Sequence, residues 1–463
     1  MRREPPGPAP ERARPLDWRI GHPACPRVFR LPRGAAVSNT RMDRVSAEFS
    51  KTVSGELQEV VDGIYLLPDF GNTTLIVGEN EAAVIDPGLF QNGPRVVAAL
   101  RKLTEVPVRY VIYTHGHYDH AFGTPALLED AAVRGHAAPR IVGHVNVARR
   151  FARYRKTAGH VAESYDIQFA SWTRAGVLGG KGGGEVVRKA HYVPPDLEYE
   201  DRIILGLGEF SLHCRHGLGE TDDHTWVWVP EHRTIVGGDF IVSSLPNAGT
   251  PFRVQRYVLE WAEALEEMAG LEPTAVVSGH GGIFRGAKAL EMLKGTAAAL
   301  RWLEDEVVRR LNAGQWYEEI VQGVDLPDEM AQSSYLQPIY GCPTFAVHSI
   351  LRRYTGWYDG NPSHLFRSPS AEVAREVLGL SGGGAPVLRR ARELASSQQC
   401  GDLQRALHLV DFVIQGDPNR VPEARGLKAE LLKARAEHEP SFIARNILSS
   451  AALLEEEAVA AGK

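Results

Sequence analysis

The chain has 463 residues, room for one large domain and one or two smaller ones. Its 43% hydrophobic and 24% charged residues are ordinary for a folded protein, and a net charge of −5 gives no whole-chain attraction for nucleic acid or an anionic membrane. The four cysteines form no CxxC pair, which argues against a disulfide scaffold or thiolate zinc site, and no apolar run is long enough for stable membrane insertion.

Residues 1–48 are rich in Arg and Pro, and Arg2–Arg3 is not followed by an apolar stretch. Neither a secretory nor a twin-arginine signal is read there, so the expectation is a disordered or loosely docked arm on a cytoplasmic protein. From Val60 to about Gly282, short runs rich in Val and Ile predict strands at Thr73–Val77, Ala82–Ile85, Tyr110–Tyr113, Arg140–Val142, Arg202–Leu205, Phe210–Cys214, Thr225–Val229, Thr234–Val236 and Ala275–Val277. Val96, Val97 and Leu100 predict a helix over Pro94–Leu103, and Val258, Trp261, Leu265 and Met268 another over Arg256–Met268. Adjacent pairs of strands favour a two-sheet core with outer helices over a single doubly wound sheet. Gly176–Gly184 reads as a mobile loop, and Ala287–Leu311 as one long helix. Ala385–Leu454 reads as three or four amphipathic helices broken at Gly401–Asp402, at Gly416–Asp417–Pro418–Asn419 and at Glu439–Pro440. Their apolar faces suit either a dimer contact or packing onto the chain's own core. The division expected is 49–300 for the sheets and 301–463 for the helices.

The segment Tyr113-Thr-His-Gly-His-Tyr-Asp-His120 carries the chemistry. His115, His117, Asp119 and His120 leave a rigid strand on one short loop, where imidazoles and a carboxylate can converge on zinc or a neighbouring first-row metal. Asp86 in Val84-Ile-Asp-Pro-Gly88, Asp239 in Gly237-Gly-Asp239 and His280 in Ser278-Gly-His-Gly-Gly282 likewise sit at strand ends beside glycine, which lets backbone approach a crowded site. Each alone is weak evidence; together and in this order they are strong.

These segments resemble the metallo-β-lactamase superfamily. The resemblance implies an α/β fold, an αββα sandwich, followed by an all-α C-terminal region. It implies two zinc ions, or another first-row pair. His115 and His117 would hold the first and Asp119, His120 and His280 the second, with Asp239 bridging and Asp86 orienting a ligand. Asp119 is also the candidate catalytic group. Where the superfamily has a histidine, this chain reads Gly217-Leu-Gly-Glu-Thr-Asp-Asp-His224. Glu220 at that ligand position resembles the alkylsulfatase branch; His216 and His224 are nearby competitors. Tyr340–Gly341, Tyr354-Thr-Gly-Trp-Tyr-Asp-Gly-Asn-Pro362, Ala406–Ile414 and Arg445–Asn446 resemble alkylsulfatase-type dimerisation regions, so a homodimer is implied.

The resemblance implies hydrolysis of a small-molecule ester by metal-activated water, a sulfate ester first. Another ester class on the same metals (carboxylic ester, lactone, thioester or phosphodiester) is the alternative, ahead of a mononuclear iron oxygenase or a non-enzymatic dimeric scaffold. Two departures bear on substrate. The sterol-carrier-like domain of many alkylsulfatases has no counterpart before Lys463, and Ser243–Arg253 is shorter than the family's loop, with Pro246 about where its general-acid histidine would stand. Asn247, Arg253 and Tyr340 are candidate substrate contacts, although a simple turn role also suits Asn247. The basic run Arg149–Lys156 reads as a solvated helix face in preference to a grip for an anionic head group. His160 and His191 read as structural, and Trp226 and Trp228 as sheet-face packing.

Overall fold

The computed structural model describes residues 55–169, 183–188 and 190–462. The expected N-terminal arm and residues 176–182 of the Gly-rich segment lie outside them.

Two sheets form the centre. The first runs in chain order: β1 (Gln58–Val61), β2 (Ile64–Leu67), β3 (Thr73–Val77), β4 (Ala82–Ile85), β5 (Val108–Ile112), β6 (Arg140–His144) and β7 (Leu197–Tyr199). β1 to β4 pair antiparallel and β4 to β7 parallel. The second sheet has β8 (Arg202–Leu207), β9 (Phe210–His216), β10 (Thr225–Val229), β11 (Thr234–Val236), β12 (Ala275–Val277) and β13 (Ile283–Arg285) in the order β13-β12-β11-β10-β9-β8. Only β11 and β12 are parallel here, and the helix Val258–Gly270 makes the crossover that parallel pairing requires.

Side-chain alternation explains the layering. Ala83, Ile85, Tyr110 and Ile112 meet Leu212, Cys214, Val227 and Val229 between the sheets. The alternate residues Ala82, Val84, Val111 and Tyr113 face the outer helices of the first sheet. Trp226 and Trp228, packing residues as expected, face outward from the second sheet onto Trp261, Leu265 and Met268. A period of two therefore gives each buried strand two apolar faces and leaves helices outside both sheets. The β1–β2 hairpin is an element beyond those expected; its turn is Asp62–Gly63, with Gly63 at a φ of +74°.

Beyond Ala287–Asn312 the chain is helical, ending in Gly384–Ala395, Cys400–Gly416, Val421–Glu437 and Phe442–Ala460 around their own core. One expected break is displaced. Gly401 and Asp402 lie inside the first turn of a helix, and the chain turns at Ser396–Gln399, where Gln398 has a φ of 53°. Asp402 accepts from the Ser397 hydroxyl at 2.6 Å, and a carboxylate suits a helix N-terminus. The last helix packs on the chain's own sheet half: Ile443 is buried there and Asn446 Nδ2 donates to Gln168 O at 2.7 Å.

Candidate metal centre

Five loops deliver the site, each from the C-terminal end of β4, β5, β9, β11 or β12. After β4, Asp86 adopts a left-handed φ of 57°. Its carboxylate accepts from Thr114 N at 2.7 Å and Thr114 Oγ1 at 2.6 Å, and meets His120 Nδ1 at 2.8 Å. With Nδ1–H donated to Asp86, the His120 ring turns Nε2 toward Asp239. Asp86 thus stands where an orienting group was expected.

The donor atoms fall into two groups. His115, His117, Glu220 and Asp239 bring one ligand atom each within 4.8 Å of one another, and Asp119, His120 and His280 do the same. Asp239 adjoins both: Oδ2 is 3.8 Å from His115 Nε2 and 3.2 Å from His280 Nε2, and Oδ1 is 3.2 Å from His120 Nε2. Glu220 Oε2 is 3.5 Å from His115 Nε2 and 3.4 Å from His117 Nδ1. His280 Nε2 is 3.4 Å from Asp119 Oδ2. All seven residues expected as ligands are brought together.

The competitors of Glu220 are otherwise engaged. His224 Nε2 accepts from Asp239 N at 3.1 Å, with its ring stacked on Phe240. His216 stacks on His144 and contacts His224 O through Nδ1. Glu220 is held by groups that the sequence reading did not assign to it. The buried Arg256 guanidinium donates to its main-chain oxygen and lies 3.1 Å from Oε1, and Asn247 Nδ2 also donates to Oε1. Asn247 Oδ1 accepts from Thr250 Oγ1, so Asn247 braces the carboxylate and does more than turn a loop. Asn72, also unassigned, ties the His280 loop through Ser278 O and Gly281 O. Neither contact leaves a local signature, because the partners are distant in sequence.

A pair of cations fits this arrangement. Among the described residues, His120 Nε2, Glu220 Oε2 and Asp239 Oδ1 are buried with no hydrogen-bond partner, a costly state for polar atoms unless something binds them. Imidazole nitrogen with carboxylate oxygen is the donor chemistry of zinc and its neighbours. Burial, with His120 and His117 nearby, pushes His115 well below the usual imidazole range, and burial lowers His117 too, so both are neutral. Burial opposes the charge of Asp239, yet His280 and His120 hold its carboxyl well below its ordinary value.

A cavity opens on the donor atoms, lined by Phe70, Tyr165, Phe169, Leu245, Arg253 and Tyr340 among others. Arg253 and Tyr340, expected as substrate contacts, line this cavity. The Arg253 guanidinium lies 5.2 Å from the centre of the Tyr165 ring, and among the described residues no carboxylate pairs with it. His160 and His191 lie away from the donors, each near a Phe ring. In the basic run, Arg149, Arg155 and Lys156 are exposed as expected. Arg150 is not: it is buried, with Nε 2.8 Å from Asp223 and Nη2 against Asp222.

Comparison with known proteins agrees with this geometry. The family model described as the metallo-beta-lactamase superfamily matches residues 66–280, and that for alkyl sulfatase dimerisation matches 317–457. A linear primary-alkylsulfatase of a Pseudomonas strain is 26% identical over 335 residues, 70% of this chain and 62% of the relative. An alkyl/aryl-sulfatase of Saccharomyces cerevisiae is 24% identical over 395 residues, 81% of this chain and 60% of the relative. This chain therefore spans about three fifths of the curated relatives it matches. The stereoselective inverting sec-alkylsulfatase Pisa1 from Pseudomonas superposes with a TM-score of 0.73 at 21% identity, over 86% of this chain and 65% of that one. By these matches the chain carries a metallo-β-lactamase superfamily domain followed by an alkyl sulfatase dimerisation domain.

Proposed function

We propose that this chain is a metal-dependent hydrolase that cleaves a sulfate ester of an apolar alcohol. His115, His117 and Glu220 would hold one divalent cation and Asp119, His120 and His280 the other, with Asp239 shared; zinc suits these donors. A bound pair supplies Lewis acidity and a water acidified to a pKa of about 7. The chain's own residues do the rest. Asp86 fixes the His120 ring, and Arg256 with Asn247 fixes Glu220. Arg253 receives the anionic head of the ester, and Phe70, Phe169 and Leu245 exclude water around the organic part.

One observation carries the reading: the half-buried Arg253 guanidinium, without a carboxylate partner among the described residues, shares a cavity with two groups of unsatisfied metal donors. The alkylsulfatase relatives supply the ester class. The test is a panel of sulfate, phosphate, carboxylic and thioesters offered to the zinc-reconstituted protein, with metal per chain from elemental analysis. Release of inorganic sulfate from an alkyl sulfate, with two metals bound, is expected. Turnover of another ester with none of the sulfates would reassign the substrate, and one iron per chain would point to an oxygenase. We further propose a cytoplasmic homodimer formed through the helical region.

A further inference from the structure

We propose that Tyr340 is a catalytic residue that gives its phenolic proton to the departing alcohol oxygen, an assignment that rests on the ester hydrolysis proposed above. An alkoxide leaves poorly unless it is protonated as its bond breaks, so the cavity needs a proton donor on the wall facing the metal donors. The imidazoles of the donor set point lone pairs at the cation sites, and the carboxylates are acceptors. Among the described lining residues, four hydroxyl groups remain: Ser243, Ser244, Tyr165 and Tyr340. Ser244 Oγ turns to Leu245 O and Ser243 Oγ lies over Gly281 beside Gly282 N, and a serine hydroxyl is no stronger an acid than the alcohol it would protonate, whereas a phenol is.

The two tyrosines meet Arg253 differently. The guanidinium covers the ring of Tyr165 but interacts with the hydroxyl of Tyr340. An oxygen that faces guanidinium N–H groups acts toward them as an acceptor, which leaves the phenolic proton free to be donated into the cavity. The same cation would stabilise the phenolate left behind. Burial raises Tyr340 above the ordinary phenol range while Arg253 pulls the other way, so the proton is present at neutral pH.

The fold fixes the backbone that carries this side chain and flanks its ring. Ser441 Oγ donates to Tyr340 O at 2.7 Å, and Phe442 N donates to Ile339 O at 2.6 Å. A Cβ on Gly341 would come within 3.0 Å of Pro246 O, so glycine there lets the Tyr340 loop lie against the strand-end loop that carries Asn247. Phe169 packs beside the ring at 6.4 Å.

The step balances. Water oxygen bonds to sulfur, and the bond from sulfur to the alkyl oxygen breaks with its electron pair on that oxygen. The oxygen takes the Tyr340 proton and leaves as the alcohol. The phenolate, beside Arg253, recovers a proton equivalent to the one the attacking water releases.

Tyr340→Phe tests this in the metal-loaded full chain, with two esters of one acid: an octyl ester, whose alkoxide needs a proton, and a 4-nitrophenyl ester, whose phenolate does not. Loss of about 100-fold in kcat/KM is expected for the octyl ester, and a loss at least ten times smaller for the nitrophenyl ester. Metal per chain should equal that of the wild type, and Tyr165→Phe should lower both esters in parallel. Equal losses on the two esters, no loss on either, or loss of metal from Tyr340→Phe overturns the assignment. If the wild type cleaves another ester class and no sulfate, the sulfate reading fails by itself and the same contrast is drawn within that class. A wild type that cleaves no ester overturns both.

Discussion

Asp86 accepts from the main chain and hydroxyl of Thr114 while it holds His120 Nδ1, so one buried carboxylate settles which imidazole nitrogen faces Asp239. Asp86→Asn keeps the volume but replaces one oxygen with an N–H group. If that group faces His120, the ring must accept through Nδ1 and carry its proton on Nε2, the nitrogen whose lone pair a metal would need. Groups that orient metal-binding histidines affect affinity by about 10–100-fold, and a loss of that size is expected for zinc in competition with a chelator. Unchanged affinity would mean that His120 orients itself. Arg256 makes the opposite case. It is buried against Glu220, and Arg256→Ala would leave a carboxylate among other acids, with an expected loss of about 3–5 kcal/mol in urea unfolding of the metal-free protein. The donors themselves were legible in the sequence because His115 to His120 share one short loop and Asp239 and His280 sit at strand ends. Arg256 and Asn72 were not, because each acquires its role only when the fold sets it against a segment remote in sequence.

At the scale of elements, the site exists because five strands end at one edge. Short runs rich in Val and Ile were readable as strands, and two strands with alternating buried faces bring Asp86 and the His115–His120 loop side by side. Closeness then depends on glycine. A Cβ on Gly279, after β12, would stand 2.2 Å from Asp239 Oδ1 and 2.5 Å from Gly238 C, both far inside normal contact. Gly279→Ala must move either the β11 loop that carries Asp239 or the His280 loop. The expected outcome is loss of bound metal, read by elemental analysis, with the circular dichroism of the fold retained. Full metal content would show that the loops yield without disturbing Asp239. Elements were misread where tertiary contacts outweighed local pattern. Gly401–Asp402 looked like a break, yet Asp402 supports a helix start, and the turn sits one step earlier. Arg150 shares a basic run with solvated neighbours, but the loop carrying Asp222 and Asp223 folds over it.

On the scale of the whole molecule, the helical region closes the cavity and also leaves an apolar stretch exposed. Its last helix holds the Tyr340 loop and the helix bearing Tyr165, so the pocket is finished by residues from both halves of the chain. Yet Trp357, Leu365, Phe366, Val373 and Leu380 remain exposed over one stretch of the region that matches alkyl sulfatase dimerisation, Trp357 at 77% and Phe366 at 88%. Apolar side chains in such number on a free surface favour association, and a symmetric pair would bury each stretch against its copy or against an adjoining face. The prediction follows from placing charge there. Phe366→Glu combined with Trp357→Ser should shift the mass from dimer to monomer in sedimentation equilibrium at micromolar concentration. These side chains lie outside the cavity lining, so metal per chain should stay at the wild-type level. A variant that sediments as a dimer would move the interface to another face of the helices. A monomer that also loses its metal would mean that association supports the catalytic half through the same helices that hold the Tyr340 loop.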